Sequence, residues 1–238
     1  EGRMAEPENI VTFLEDDILE KLPLKGKKIL VTAGPTFEAI DPVRFIGNYS
    51  SGKMGFDIAN EAAKNGAEVI LISGPTHLKT ENSQVNLIRV TSAQEMYDAC
   101  HQYYTGDAGA NAAAAKDDKN TKNVNNQKIK KNDATFTIEL EKTKDILGSL
   151  GAIKKNQFLI GFALETENEI EHAKLKIQKK NLDLIVLNSL NDKGAGFGKP
   201  TNKVTFIDKN FQIEPMDLKS KEAVALDIIN KIIQHYDA

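Results

Sequence analysis

Apolar residues along the chain fall into short runs that alternate with amphipathic segments. The runs "ILVTA" from Ile29, "AEVILIS" from Ala67 and "VNLIRV" from Val85 are rich in β-branched residues, which predicts buried strands. Two further runs, "QFLIGFALET" from Gln157 and "LDLIVLNSL" from Leu182, repeat the pattern in the second half of the chain. Strands separated by helical segments predict a parallel sheet in an α/β fold.

The segments between the strands have helical spacing. Residues 52–65 place Met54, Ile58 and Ala62 on one face, and Gly66 follows as a helix terminator. The same pattern predicts helices at residues 7–22, 92–104, 167–181 and 220–236, and residues 202–208 and 211–218 predict a hairpin. We therefore expect a Rossmann-like three-layer αβα sandwich with a mainly parallel sheet and a β-hairpin extension.

Residues 106–133 interrupt this pattern with Ala, Asn, Asp and Lys. Low hydrophobicity and many charges predict a flexible loop that serves as a lid. We expect residues 1–24 to form a linker and helix, and residues 25–238 to form one domain. Among 238 residues with net charge −3 there is one cysteine, Cys100, and no apolar run of membrane-spanning length. These features favour a cytoplasmic protein without disulfides, and argue against nucleic-acid and membrane partners.

The segment "RFIGNYSSGKMG", residues 44–55, leads into a predicted helix. Unpaired N–H groups at a helix N-terminus attract anions and glycine allows close approach, so Gly52 with Ser50, Ser51 and Lys53 could cradle a phosphate. Arg44 could bind a carboxylate or phosphate, and Asn48 could donate to an acyl oxygen. A plain connecting turn and a surface salt bridge remain the alternatives.

Other functions are compatible with these residues. Tyr49 and Lys53 match the Tyr-x-x-x-Lys pair of NAD(P)-dependent oxidoreductases, although "TAGPTFEAI" lacks the GxGxxG fingerprint. A nonenzymatic nucleotide-binding module is a third possibility. The cluster "KIKK" beginning at Lys128, downstream of Asp117 and Asp118, could instead serve nucleotidyl transfer. The four histidines show no zinc spacing.

The segment "ILVTAGPTFEAIDPVRFIGNYSSGKMGFDIA" closely resembles the phosphopantothenoylcysteine synthetase family, the synthetase half of bacterial bifunctional coenzyme A biosynthesis proteins. The resemblance continues through "SGPT", "QKIKK", "KDIL", "IGFALET" and "KKNLDLIVLN". It implies a ligase that activates 4′-phosphopantothenate with CTP and Mg²⁺ as an acyl cytidylate and then couples it to cysteine. It also implies a homodimer and a covalently linked decarboxylase domain that carries the FMN, so no FMN is expected in this half.

The resemblance also implies roles for individual residues. Asn48 would bind the acyl intermediate, Arg44 the pantothenate moiety, and Lys128 the nucleotide and the second half-reaction. Phe162 would pack by the cytosine. The remaining residues that it assigns to the nucleotide are Lys144, Asp145, Ile146, Leu147, Lys176, Lys180, Ala112, Ala113 and Ala114. No metal ligands are assigned.

One stretch departs from the family pattern. Where the family has an apolar strand ending in "AAVADY", this chain has "NAAAAKDDKN". The nucleotide-binding aspartate is Asp117 when counted from Asp107, and Asp118 when counted back from Lys128. The missing Val and Tyr bring base recognition into question.

Overall fold

The computed structural model describes residues 6–104, 111–112, 119–121, 124, 137–165, 167–189 and 199–237. Its helices are α1 (Pro7–Glu20), α2 (Lys53–Lys64), α3 (Ala93–Tyr104), α4 (Ile146–Ile153), α5 (Glu169–Lys180) and α6 (Lys221–Asp237). Its strands are β1 (Lys28–Ala33), β2 (Glu38–Ala39), β3 (Phe45–Ile46), β4 (Glu68–Ser73), β5 (Val85–Arg89), β6 (Asn111–Ala112), β7 (Lys119–Thr121), β8 (Leu140–Lys142), β9 (Leu159–Glu165), β10 (Leu184–Ser189), β11 (Thr201–Asn202), β12 (Val204–Asp208), β13 (Ile213–Pro215) and β14 (Lys219–Ser220).

Eight strands form the central sheet in the order β13-β12-β10-β9-β6-β1-β4-β5. The strands from β10 to β5 pair in parallel, whereas β12 and β13 join the β10 edge as an antiparallel hairpin. The chain winds outward from β1 to β5 and then returns to β6 on the other side of β1. The strand order therefore reverses between β1 and β6, where open α/β sheets bind their ligands.

Helices cover both faces of the sheet. On one face, α2 and α6 bury Phe56, Ile58, Val224 and Ile228 against the sheet. On the other face, α3, α4 and α5 bury a second cluster that includes Cys100, which is fully buried. Each cluster fills the space between the sheet and the helices on one of its faces, so the molecule has three layers. The predicted Rossmann-like sandwich with its hairpin extension is confirmed.

Helix α1 begins at the predicted residue, but its apolar face stays exposed. Phe13 is 69% exposed and Ile18 is 60% exposed. In the part of the chain that the structure describes, no helix combines the length and apolar character needed to cross a membrane.

The structure differs from the sequence prediction inside the expected loop 106–133. Residues 111–112 form strand β6, and residues 119–121 form strand β7, which pairs with β8. Asn111 is in register with Leu30 on one side and Leu159 on the other. Backbone pairing with two buried neighbours stabilises β6 without requiring β-branched side chains. The loop prediction is therefore wrong for these two strands, and the rest of the loop lies outside the described residues except for Val124.

Candidate functional site

A cleft of about 340 Å³ opens at the carboxyl ends of the parallel strands. Gly34 follows β1 at its floor, and Phe162 of β9 and Asn188 of β10 line its wall. Helix α2 contributes its N-terminus at Gly52, and α5 contributes Lys180. The cleft therefore has an end between α2 and α6, here called the α2/α6 end, and an end between α4 and α5, here called the α4/α5 end.

The α2/α6 end is built on tightly packed backbone. Gly52, the N-cap of α2, has φ +81°, and a Cβ added there would lie 3.2 Å from the Gly34 nitrogen. Gly34 itself has φ +79°. Positive φ and close approach together favour glycine at both positions. The N-terminus of α2 consequently lies at the cleft with only short side chains around it, because the Gly52 and Lys53 N–H groups donate to the Ser50 and Ser51 hydroxyls at 3.4 Å.

Short polar side chains shape the loop that precedes α2. Asn48 Oδ1 accepts a hydrogen bond from the Ser50 N–H at 2.9 Å, which forms an Asx turn. The Ser51 carbonyl accepts a hydrogen bond from Thr76 Oγ1 at 3.0 Å, and this contact anchors the loop to the segment after β4. Asn48 is thus held in place through its oxygen.

Lys53 lines the cleft, but two carboxylates hold its ammonium group. Its Nζ lies 3.0 Å from both oxygens of Asp57 and also donates to Glu222 of α6. Burial alone would lower the pKa of Lys53, but the hydrogen bonds to Glu222 and Asp57 outweigh it and raise the pKa above its ordinary value. Burial also raises the pKa of Asp57. The charge of Lys53 is therefore largely balanced within the protein.

The α4/α5 end is built from side chains of different elements. Lys176 Nζ lies 2.6 Å from Glu165 Oε1 on β9, and Lys180 Nζ lies 2.9 Å from Asp145 Oδ1. Asp145 also caps α4, because its Oδ1 accepts the Gly148 N–H at 2.8 Å. Lys180 is only 8% exposed. These contacts fix two lysines beside an apolar wall that includes Phe162.

The structure brings together nine of the residues that the sequence analysis selected. Those that line the cleft are Asn48, Ser50, Ser51, Gly52, Lys53, Leu147, Phe162, Lys176 and Lys180. Asp145 reaches the cleft indirectly through Lys180, and Ile146 is buried beside it. Ala112 lies on the central strand β6. The predicted residues Ala113, Ala114, Asp117, Asp118 and Lys128 lie outside the described part of the chain.

Two predicted residues lie away from the lining of the cleft. Arg44 is on the β2–β3 hairpin, with its Nη1 3.7 Å from Asp41 Oδ2. Lys144 lies over the ring of Tyr97, with its Nζ 4.7 Å from the ring centroid. Arg44 thus makes the kind of salt bridge that the sequence analysis gave as its alternative role. The ligand roles of Arg44 and Lys144 stay predictions.

Among the lining residues that the sequence analysis did not select are Asn188, Asn202 and Lys221. Asn188 is the next-to-last residue of β10, so the rule that ligands bind beyond strand ends could have identified it. Asn202 Nδ2 donates to Asn188 Oδ1 at 2.8 Å. Lys221 begins α6 and carries no local sequence signal of its burial.

The geometry does not favour the oxidoreductase pair. Tyr49 lies in the loop and is 91% exposed, while Lys53 is the first residue of α2 and is directed to Asp57 and Glu222. Across the described ranges, no three His, Cys, Asp or Glu side chains are grouped as metal ligands.

The fold and the site define a Rossmann-like α/β protein with a cleft at the switch point of its sheet. The family model for the DNA/pantothenate metabolism flavoprotein C-terminal domain matches residues 24–236, and the chain belongs to this family.

Individual relatives agree with that assignment. The Coenzyme A biosynthesis bifunctional protein CoaBC of Bacillus subtilis (strain 168) is 45% identical over 97% of this chain and 57% of its own length. A cysteine/cysteine sulfinic acid decarboxylase from an unknown prokaryotic organism is 49% identical over 98% of this chain and 66% of its own length. The chain therefore spans less than two thirds of either protein. The crystal structure of the C-terminal domain of a CoaBC protein superposes with a TM-score of 0.77 and 41% identity, covering 91% of this chain and 99% of that domain.

Proposed function

We propose that this chain is a CTP-dependent phosphopantothenate–cysteine ligase of coenzyme A biosynthesis. The observation that carries the proposal is one cleft with two differently built ends. One end presents a helix N-terminus and Asn48, and the other presents Lys176 and Lys180 beside Phe162. Such a cleft suits a reaction that joins an acid to a nucleotide. The similarity to proteins named for coenzyme A biosynthesis supports the substrate class.

The reaction requires the substrate carboxylate to be activated. In the first step a carboxylate oxygen attacks the α-phosphorus of CTP, the bond to the β-phosphate oxygen breaks, and pyrophosphate leaves. In the second step the cysteine nitrogen attacks the acyl carbon, the bond to CMP breaks, and the amine loses a proton. Both steps depend on positioning and on stabilising negative charge.

The α2/α6 end would hold the acyl group. The Asn48 oxygen is engaged by the Ser50 N–H, which orients the amide so that its NH₂ group can donate to the acyl oxygen. The N-terminus of α2 favours a nearby phosphate. Arg44 does not line the cleft, so its assignment to the pantothenate moiety rests on the family resemblance.

The α4/α5 end would hold the nucleotide. Phe162 offers an apolar surface for the base, and the Lys176 and Lys180 ammonium groups are fixed by Glu165 and Asp145. Mg²⁺ would neutralise phosphate charge. The described residues provide no ligand cluster for it, and the candidate aspartates Asp117 and Asp118 lie outside them. The cytoplasmic location and the homodimer also remain predictions.

A coupled pyrophosphate assay tests this function. The chain is incubated with 4′-phosphopantothenate, cysteine and Mg²⁺, with CTP or ATP in parallel. We expect pyrophosphate and phosphopantothenoylcysteine with CTP. If neither product forms with either nucleotide, the proposal is wrong.

Three further measurements separate the competing functions. Binding of NADPH would favour an oxidoreductase. Release of CO₂ from cysteine alone would favour the activity named for one of the relatives. Binding of CTP without any product would favour a nonenzymatic nucleotide-binding module.

A further inference from the structure

Lys221 is a buried lysine of the cleft to which the sequence analysis assigned no role. It is the first residue of α6, its backbone N–H donates to the Pro200 carbonyl at 3.1 Å, and it is 7% exposed. Its side chain lines the α2/α6 end together with Lys53 and Asn202. A lysine this deeply buried is rare unless it is paired.

The other three lysines of the cleft have carboxylate partners. Lys53 contacts Asp57 and Glu222, Lys176 contacts Glu165, and Lys180 contacts Asp145. Within the part of the chain that the structure describes, the Lys221 side chain makes no hydrogen bond or ion pair. Burial accordingly lowers the pKa of Lys221 below its ordinary value, although Asp57 and Glu222 raise it in part.

The surroundings of Lys221 are suited to an anion. The ion pair between Lys53 and Glu222 places the first turns of α2 and α6 side by side, so two helix N-termini face the same region. Asp57 and Glu222 carry two negative charges, and Lys53 and Lys221 carry two positive ones, so these four side chains balance. The field that attracts an anion therefore comes from the two helix N-termini, and Lys221 is the ammonium group there that makes no direct hydrogen bond to a carboxylate. A buried cation without a partner is unfavourable in the ligand-free protein and becomes favourable when an anion binds.

We infer that Lys221 binds a phosphoryl group at the α2/α6 end of the cleft. The inference rests on the proposed function, because both 4′-phosphopantothenate and CTP carry phosphate. The monoester of phosphopantothenate and the phosphates of CTP are the two possible sources. The chemistry required of Lys221 is the same for both.

The test compares phosphorylated and unphosphorylated probes by titration calorimetry. The probes are 4′-phosphopantothenate against pantothenate, and CTP against cytidine, with the 238-residue chain. Lys221→Met removes the charge with little change in volume, and Lys221→Arg keeps it. Lys219→Met is the matched control, because Lys219 is ion-paired with Asp227 at 2.8 Å and does not line the cleft.

We expect Lys221→Met to weaken binding of one phosphorylated probe by about 10- to 100-fold, the usual effect of losing a charged hydrogen bond. The affinity for its unphosphorylated counterpart should change by less than about 2-fold. If Lys221→Met no longer prefers 4′-phosphopantothenate to pantothenate, Lys221 binds the phosphate of phosphopantothenate. If it no longer prefers CTP to cytidine, Lys221 binds a phosphate of CTP. Lys221→Arg should retain most of the discrimination, and the melting temperature of ligand-free Lys221→Met should not fall.

Two results for Lys221→Met would overturn the inference. In one, Lys221→Met leaves the preference for phosphorylated probes intact, in which case the proposed function still stands. In the other, Lys221→Met has a lower melting temperature than wild type and binds both probes of a pair more weakly by the same factor, which indicates a structural role. If the wild-type chain does not prefer phosphorylated probes at all, the proposed function and the inference are both wrong.

Discussion

The two ends of the cleft achieve rigidity in different ways. At the α2/α6 end, Lys53 is also held by carboxylates, but the loop and the start of α2 are shaped by glycines that bring backbone segments into contact. At the α4/α5 end, long side chains are held by carboxylates from other elements, as with Lys176 on Glu165 and Lys180 on Asp145. A site built from packed backbone tolerates small side-chain changes but not added volume. A site built from side chains depends on each lysine–carboxylate ion pair. The comparison predicts how substitutions at each end should differ.

The largest effect is expected for Asn48→Asp. The carboxylate can still accept the Ser50 N–H, so the turn is kept, but the NH₂ donor is replaced by a negative oxygen. Turnover should fall by about 100- to 1,000-fold, as for loss of an oxyanion donor. Steady-state pyrophosphate release measures this change. Asn86→Asp on the exposed edge strand β5 is the control, and equal rates for the two variants would remove Asn48 from the mechanism.

The second prediction compares two glycines near helix N-termini. A Cβ at Gly55 would lie 2.6 Å from Ala33 Cβ and 2.8 Å from the Thr32 carbonyl oxygen, both on β1. A Cβ at Gly148 would instead lie 2.7 Å from a carboxylate oxygen of Asp145, the end of a side chain. We expect Gly55→Ala to lower the free energy of unfolding by about 2–3 kcal/mol. Gly148→Ala should lower it less, by about 1 kcal/mol, because Asp145 must shift from its cap on the Gly148 N–H while alanine improves the helix propensity.

Urea denaturation of both variants measures that difference. If Gly148→Ala is the more destabilising of the two, the description of the two ends is wrong.

The third prediction concerns the side-chain-built end. Lys180→Gln removes the partner of Asp145 and a cation of the cleft. We expect KM for CTP to rise by about 10-fold, which corresponds to one charged contact. KM for phosphopantothenate should change little. Lys179→Gln, one residue earlier on the exposed face of α5, should leave both values unchanged, and a selective rise in KM for phosphopantothenate would reverse the assignment of the ends.

The smallest effect is a pH dependence at Lys221. Because burial lowers its pKa, Lys221 loses its proton at a lower pH in the ligand-free protein than in the unfolded chain. The affinity for the phosphorylated probes should therefore decrease as the pH rises toward 10.5, the ordinary pKa of lysine. The decrease should be about 3-fold larger in wild type than in Lys221→Arg, because arginine stays charged over this range.

The same shift affects stability. Between the lowered pKa and 10.5 the unfolded state binds more protons, so this group makes the free energy of unfolding increase with pH. Asp57, Lys53 and Glu222 face Lys221 and also titrate, which is why Lys221→Arg is the reference. If wild type and Lys221→Arg bind the phosphorylated probes with identical pH profiles, the prediction is wrong.

The sequence predicted the glycines and loop of the α2/α6 end better than the α4/α5 end because that part is local. The glycines, the loop and α2 are consecutive residues, and their types reveal a helix N-terminus with close backbone packing. Lys180 and Asp145 are 35 residues apart, so periodicity alone could not pair them, and α4 itself was not predicted from "ILGSLGAI". Lys221 was missed because burial at a helix start is decided by the neighbouring α2. Strand β6 was missed because two flanking strands define it.

The most direct test of the central claim is a single turnover without cysteine. With CTP, Mg²⁺ and 4′-phosphopantothenate, we expect a burst of pyrophosphate that does not exceed the amount of protein chain, followed by further release when cysteine is added. Neither CTP alone nor CTP with pantothenate should give the full burst. No pyrophosphate, or pyrophosphate from CTP alone at the same rate, would contradict an activation that needs both ends of the cleft.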